Sequence, residues 1–319
     1  MSTLGKALFI VNPAAQSGNG ARGAARIRYA ARQFPSLADS IEIATTKAPR
    51  HATEIAAASA DFDTVVALGG DGIVHEVFGG LMRIPVSSRP AFALIPCGNG
   101  NDYARTLGMS VDFDTSFGQL ALAKPCGLDV GVCNGEPFAQ TLSFGLDAAI
   151  ALGTHDRRER KGCTGTRLFV EEGVSQLLFH RDVYSYEASF DGGSRAESGS
   201  MYLFAVQIGP SYGGGFRVCP NAVAYDGVCD ICIAHPPLSL PRAAKIFMKA
   251  KNGHHLKYTD VLSFESCSSL HLEFDAEPPA QIDGESIGGT VFDVSLEKQA
   301  LSVMLPVGSP AAPSDMVWD

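Results

Sequence analysis

The chain has 319 residues, 45% of them apolar and 18% charged, which describes an ordinary globular protein with room for two cores and excludes a disordered one. Its net charge of −9 argues against nucleic acid as a partner and against general attraction to anionic lipid, so action at a membrane needs a local basic or apolar patch. No apolar run reaches the roughly 18 residues that a spanning helix needs, so no transmembrane segment is expected. The start MSTLGKALFIVNP lacks signal-peptide architecture, and a cytoplasmic location is expected.

Residues 7–11 (ALFIV) read as a strand buried on both faces, ending in a loop of Asn12, Pro13, Ser17, Gly18, Asn19 and Gly20 that leads into a helix over 21–34. Residues 41–44 form a second strand, followed by Thr45 and Thr46, then a helix over 51–60. Taken alone, Thr46 reads as a helix cap.

Residues 64–81 (TVVALGGDGIVHEVFGGL) organise this half. The apolar run 65–68 predicts a buried strand, and Ile73, Val74, Val77, Phe78 and Leu81 recur at helical spacing. Between them lie Gly69, Gly70, Asp71 and Gly72. Glycines let backbone approach a ligand, and free N–H groups at a helix start attract an anion, so the unit points to phosphate. Asp71 would repel a phosphate unless Mg²⁺ sits between them; a tight turn with an exposed Asp is the alternative. Residues 91–96 (AFALIP) repeat the logic, with Cys97, Gly98, Asn99, Gly100, Asn101 and Asp102 before a helical 103–107. Two such turns on neighbouring strands form a polar mouth where α/β sheets bind ligands.

Up to about residue 126 the pattern βαβαβαβα predicts a parallel sheet covered by helices. From Leu128 the texture changes to short alternating runs broken by Gly and Asp, which predicts an antiparallel β-sandwich with helical insertions at about 166–179 and 241–250. The expected domains are therefore 1–126, an α/β unit suited to nucleotide, and 127–319, a β-sandwich. The eight cysteines are scattered, and Cys229-x-x-Cys232 lies in an apparent strand without a second pair, so free buried thiols are expected. Two basic patches, 155–161 and Lys245, Lys249, Lys251, His254, His255 and Lys257 around Ile246, Phe247 and Met248, read as solvated surfaces or as contacts for anionic headgroups.

The segments Gly69–Gly72 and 96–105 (PCGNGNDYAR) resemble the GGDGT and PxGTGNDxAR motifs of the diacylglycerol kinase catalytic-domain family, which includes sphingosine, ceramide and soluble bacterial lipid kinases and shares its fold with NAD kinases. Ile73 and Asn99 stand where that family has threonines. The resemblance implies an ATP-dependent lipid kinase using Mg²⁺, acting on a lipid at the membrane surface, diacylglycerol first, with a habit of dimerising. It implies nucleotide contacts at Asn12, Thr46, Gly69, Gly70, Asp71, Gly72, Gly98 and Asn99. It also implies a carboxylate–water–Mg²⁺ network of Asp71, Asp102 and Asp129. The stretch from Gly213 to Asp230 resembles the bacterial members' GGGxxxxPxAxxxDGxLDV segment, implying a structural Mg²⁺ on the Val223 carbonyl, the Asp226 carboxylate and the Val228 carbonyl. Asp283-Gly284-Glu285, by itself a hairpin turn, matches the DGE of lipid kinases, implying Glu285 as general base with Asp283 orienting the site. Sphingoid-base or ceramide kinases fit the same residues. A non-catalytic nucleotide- or lipid-binding protein fits the departures at Ile73 and Asn99, and an NAD kinase lacks support because no GxLGFL-like segment occurs.

Overall fold

The computed structural model describes residues 2–13, 23–161, 166–179 and 181–318. The chain divides into two compact units, Met1–Val130 with Lys298–Asp319, and Gly131–Glu297. The sequence reading grouped 127–319 together, whereas the residues from Lys298 onward pack with the first unit.

The first unit begins with β1 (Lys6–Val11), α1 (Gly23–Gln33), β2 (Ser40–Thr45), α2 (His51–Ala57), β3 (Thr64–Gly69) and α3 (Asp71–Leu81). It continues through β4 (Ala91–Pro96), α4 (Asp102–Leu107), α5 (Phe113–Ala121) and most of β5 (Lys124–Cys133). Its strands run parallel in the order β2-β1-β3-β4. All six residues of β3 are buried, as a parallel strand covered on both faces requires. Phe78, Phe92 and Tyr103 meet edge to face under α3 and α4. Burying each such ring is worth about 1.5–3 kcal/mol. The connector 83–89 is held by Arg89, whose guanidinium donates to the carbonyls of Ile84 and Ala300. Helix α5 was not expected from the sequence. It starts on an Asp112 cap that accepts the Thr115 N–H at 2.9 Å.

The second unit is antiparallel. Its larger sheet has the order β12 (Leu262–Cys267), β11 (Cys229–Ala234), β10 (Leu203–Gln207), β7 (Thr141–Gly145), β14 (Ala280–Ile282) and β15 (Glu285–Ile287). The facing strands are β6 (Glu136–Phe138), β8 (Tyr184–Phe190), β9 (Arg195–Met201), β13 (Ser269–Phe274) and the first part of β16 (Val291–Leu305). Alternation along β7 sends Leu142 and Phe144 into the sandwich core with Phe204, Phe274 and Phe292. The opposite face of this sheet is covered by α6 (Leu146–Lys161), α7 (Thr166–Phe179) and α8 (Leu240–Ala250), through Ile150, Leu177, Ile246 and Ala250. Helices α7 and α8 are the two expected insertions; α6 was not expected.

Cys229 and Cys232 point to opposite faces of β11, into the sandwich core and the helix side respectively. They therefore cannot converge on one ion, and Cys229 instead lies 3.6 Å from Cys267. The seven described cysteines are all free; Cys97 and Cys126 are half-buried rather than buried. In the second basic patch, Lys245, Lys249, Lys251, His254 and Lys257 are exposed beside Met248, but His255 is buried. The side chains of 155–161 lie outside the described residues, as do residues 14–22 of the first loop. Among the described residues no helix is long and apolar enough to cross a membrane.

Candidate active site

The carboxyl ends of the parallel strands gather the first set of sequence-predicted residues. Asn12 follows β1, and its N–H donates to the Leu68 carbonyl at 3.3 Å. Thr46 follows β2, is buried, and donates its N–H to the Val11 carbonyl at 2.9 Å. The Gly69–Gly72 turn follows β3 and the Gly98–Asp102 turn follows β4. Helix α3 follows Gly70, which supplies no side-chain cap, and the start of a helix favours an anion.

The two glycine turns touch backbone to backbone. A Cβ on Gly70 would lie 2.9 Å from the Gly98 Cα, and a Cβ on Gly98 would collide with the Gly70 Cα. Only glycine at both positions permits this approach. Asn101, in the left-handed region at φ 55°, clamps the second turn: its Oδ1 accepts the Gly98 N–H at 2.9 Å and its Nδ2 donates to the Gly98 carbonyl at 2.8 Å. Asn101 was quoted only as part of the motif, yet it shapes the loop. Gly98→Ala is accordingly expected to cost about 1–3 kcal/mol by overpacking and to abolish nucleotide binding, checked by thermal unfolding and by titration with ATP. Unchanged values of both would show that the close approach is dispensable.

Two acidic side chains are brought together here. The Asp71 Oδ2 and the Asp102 Oδ2 lie 2.5 and 3.4 Å from where a Gly100 Cβ would be. Asp71 Oδ1 accepts the Tyr103 N–H at 3.1 Å, and Asp102 pairs with Arg105 at 2.8 Å. Asp129, buried in β5, accepts the Gln299 N–H at 2.7 Å from the closing strand. Among the described residues no three His, Cys, Asp or Glu side chains are close enough to share one ion. A cation here would therefore keep waters between it and part of its carboxylate set, as Mg²⁺ does. Ile73 is 4% exposed, and its Cγ2 would meet a Cβ on Gly69 at 2.6 Å. It thus packs over the turn instead of offering a hydroxyl.

In the second unit, Asp283 adopts φ 48° and its carboxylate is taken up by backbone. It accepts the N–H groups of Ala139 at 2.7 Å and of Gln140 and Thr141 at 3.0 Å each. Gly284 follows at φ 96° and donates its N–H to the Gln281 Oε1 at 2.6 Å. Glu285 opens β15 and is exposed. Asp283 thus locks a turn whose next acidic group stands in solvent.

In the segment 220–228, Asp226 is exposed and its Oδ1 accepts the Val228 N–H at 3.1 Å, across Gly227 at φ 90°. Burial, with the Asp226 charge beside it, pushes the Asp230 carboxyl up to about 6. Asp226 and Asp230 are thus neighbouring carboxyl groups, and carboxylate oxygen is the ligand type a hard cation takes.

The chain is similar to known proteins along most of its length. Residues 6–133 match the family model of the diacylglycerol kinase catalytic domain, and residues 140–305 match that of the YegS C-terminal NAD kinase β-sandwich-like domain. A probable YegS-like lipid kinase of Chromohalobacter salexigens is 28% identical over 70% of this chain and 72% of that protein. One of Pseudomonas aeruginosa is 26% identical over 80% of each. A crystal structure from Bacillus anthracis, described as a diacylglycerol kinase, superposes with a TM-score of 0.72 at 21% identity over 96% of this chain and 98% of that one. Another from the same strain reaches a TM-score of 0.80 at 22% identity over 97% and 99%. With both family models spanning its two halves, the chain belongs to the YegS-like lipid kinase family, which joins a diacylglycerol kinase catalytic domain to a C-terminal β-sandwich.

Proposed function

We propose that the protein transfers the γ-phosphoryl group of ATP to a lipid hydroxyl, with diacylglycerol as the first acceptor and phosphatidic acid as its product. The observation that carries this reading is the pair of glycine turns in backbone contact, with Asp71 and Asp102 against Gly100. The start of α3 receives phosphate oxygens, and Asn12, Thr46, Gly69, Gly70, Gly72, Gly98 and Asn99 border the nucleotide. Asp71, Asp102 and Asp129 hold hydrated Mg²⁺, which when bound neutralises charge on the phosphoryl oxygens. Glu285 accepts the proton that the lipid hydroxyl loses as it attacks, a role open to an exposed carboxylate. Asp283 is a positioning residue: it fixes the turn by accepting three backbone amides. Val223, Asp226 and Val228 hold a second, structural Mg²⁺.

The test is transfer from γ-labelled ATP with Mg²⁺ to micellar diacylglycerol, monoacylglycerol, phosphatidylglycerol, sphingosine and ceramide, with NAD as a soluble control. Label in one lipid is the expected result. ATP binding with no transfer to any acceptor would favour the non-catalytic reading that the buried Ile73 raises, and transfer to NAD alone would overturn the lipid assignment.

A further inference from the structure

Glu285 stands on a strand with little of its own to hold it. β15 is three residues long, lies at the edge of its sheet and, among the described residues, pairs with β14 alone. Short edge elements open readily. A general base tolerates little of this, since a misplacement of about 1 Å can cost about 10²-fold in rate.

The strand is held instead through the two residues that join it to β14. Asp283 and Gly284 both adopt left-handed backbone, at φ 48° and 96°, as a two-residue hairpin turn requires. Asp283 is tied by its carboxylate to the amides of 139–141. Gly284 is tied from the other side by Gln281, a fully buried residue of β14 to which none of the roles above gives a task. The Gly284 N–H donates to Gln281 Oε1 at 2.6 Å.

That contact fixes which end of the Gln281 amide faces the turn, because an amide nitrogen cannot accept. The other end donates from Nε2 to the Ser143 Oγ at 2.7 Å, across the β7–β14 pairing that sets Gln281 opposite Ser143. Ser143, also fully buried, is hydrogen-bonded in turn to Asp147 in the first turn of α6. Burial pushes the Asp147 carboxyl up to about 7. Ionised or protonated, it keeps an oxygen that accepts the Ser143 proton. The series from Gly284 through Gln281 and Ser143 to Asp147 therefore runs one way in either state, and a buried, fully bonded amide of this kind makes its surroundings rigid.

We infer that Gln281, held by Ser143, is a positioning residue for phosphoryl transfer: it fixes the Gly284 amide and thereby the direction in which the hairpin presents Glu285. The inference rests on Glu285 as the base and deepens that reading. A side chain that only filled the sheet would act on stability. One that aims Glu285 acts on the transfer step, and only through Glu285.

The test is a double-variant cycle on transfer from γ-labelled ATP with Mg²⁺ to micellar diacylglycerol, with hydrogen exchange of the segment 281–287 beside it. Gln281→Met keeps the length of the side chain and removes both hydrogen bonds. It is expected to lower kcat by about tenfold or more with the KM for ATP unchanged, and to speed exchange across the turn. In a Glu285→Gln background the same change is expected to slow transfer no further, because residues that act as one unit are not additive. Equal slowing in both backgrounds overturns the inference, and so does an unchanged kcat in Gln281→Met. If that variant does not fold, Ser143→Ala, which removes the hydroxyl that holds the amide, carries the same expectations. Full turnover in Glu285→Gln fails the base assignment and this inference together. A slowed Glu285→Gln beside an unaffected Gln281→Met fails this inference alone. Where the intact protein passes no label to diacylglycerol, the exchange decides, and an unaltered rate in Gln281→Met overturns the inference.

Discussion

Replacing Glu285 by Gln is expected to lower phosphoryl transfer by about 10²–10⁴-fold, the range over which a positioned general base contributes, with ATP binding unchanged. Glu285 is exposed at the start of β15, so the substitution removes no buried contact and the melting temperature should stay where it was. The neighbouring Asp283 gives the contrast. Its carboxylate holds three backbone amides, so Asp283→Ala is expected to lower stability and turnover together, since hydrogen bonds to a charged acceptor are worth about 1.5–3 kcal/mol each before solvent screening. Single-turnover kinetics on Glu285→Gln, alongside ATP titration, separates the two cases. Full turnover in that variant removes Glu285 as the base.

Asp71→Asn is the second large effect. The change preserves shape and can still accept the Tyr103 N–H through Oδ1, but it removes a negative charge from beside Asp102. Transfer is expected to fall by about 10²-fold or more, as for the loss of one charge-stabilising group in a preorganised site. The sign for nucleotide alone is opposite. A carboxylate repels the triphosphate, so ATP without Mg²⁺ should bind Asp71→Asn at least as well as it binds the unaltered protein. Titration with and without Mg²⁺ measures both signs, and equal Mg²⁺ dependence in the two proteins would take Asp71 out of the cation's surroundings.

The parts of this molecule that were legible in its sequence are those whose causes are local. Residues 65–68 and 91–96 are uninterrupted apolar runs because parallel strands are buried on both faces, and the glycines after them announce turns. The contact of Gly70 with Gly98 was not legible, because it joins positions on different strands. Nor was the role of Asp283, whose amide partners lie more than 140 residues earlier. Helix α6 was missed because it follows β7 directly and its apolar start reads as more strand. His255 was grouped with exposed lysines by proximity in the chain, yet it turns inward to the Val218 carbonyl.

The late return of the chain to the first unit has a consequence for the order of synthesis. Residues 131–297 leave the ribosome complete, while the first unit still lacks the strand residue Val303 that pairs beside Phe92. The later unit is then free to fold first, reversing the usual order in which N-terminal domains form during translation. Until residues 298–310 emerge, Asp129 lacks the Gln299 amide, Arg89 lacks the Ala300 carbonyl, and the Leu107 carbonyl lacks the Ser309 hydroxyl. A nascent chain halted at residue 297 would thus carry a finished sandwich and an incomplete first unit, with Asp129 still waiting for the Gln299 amide.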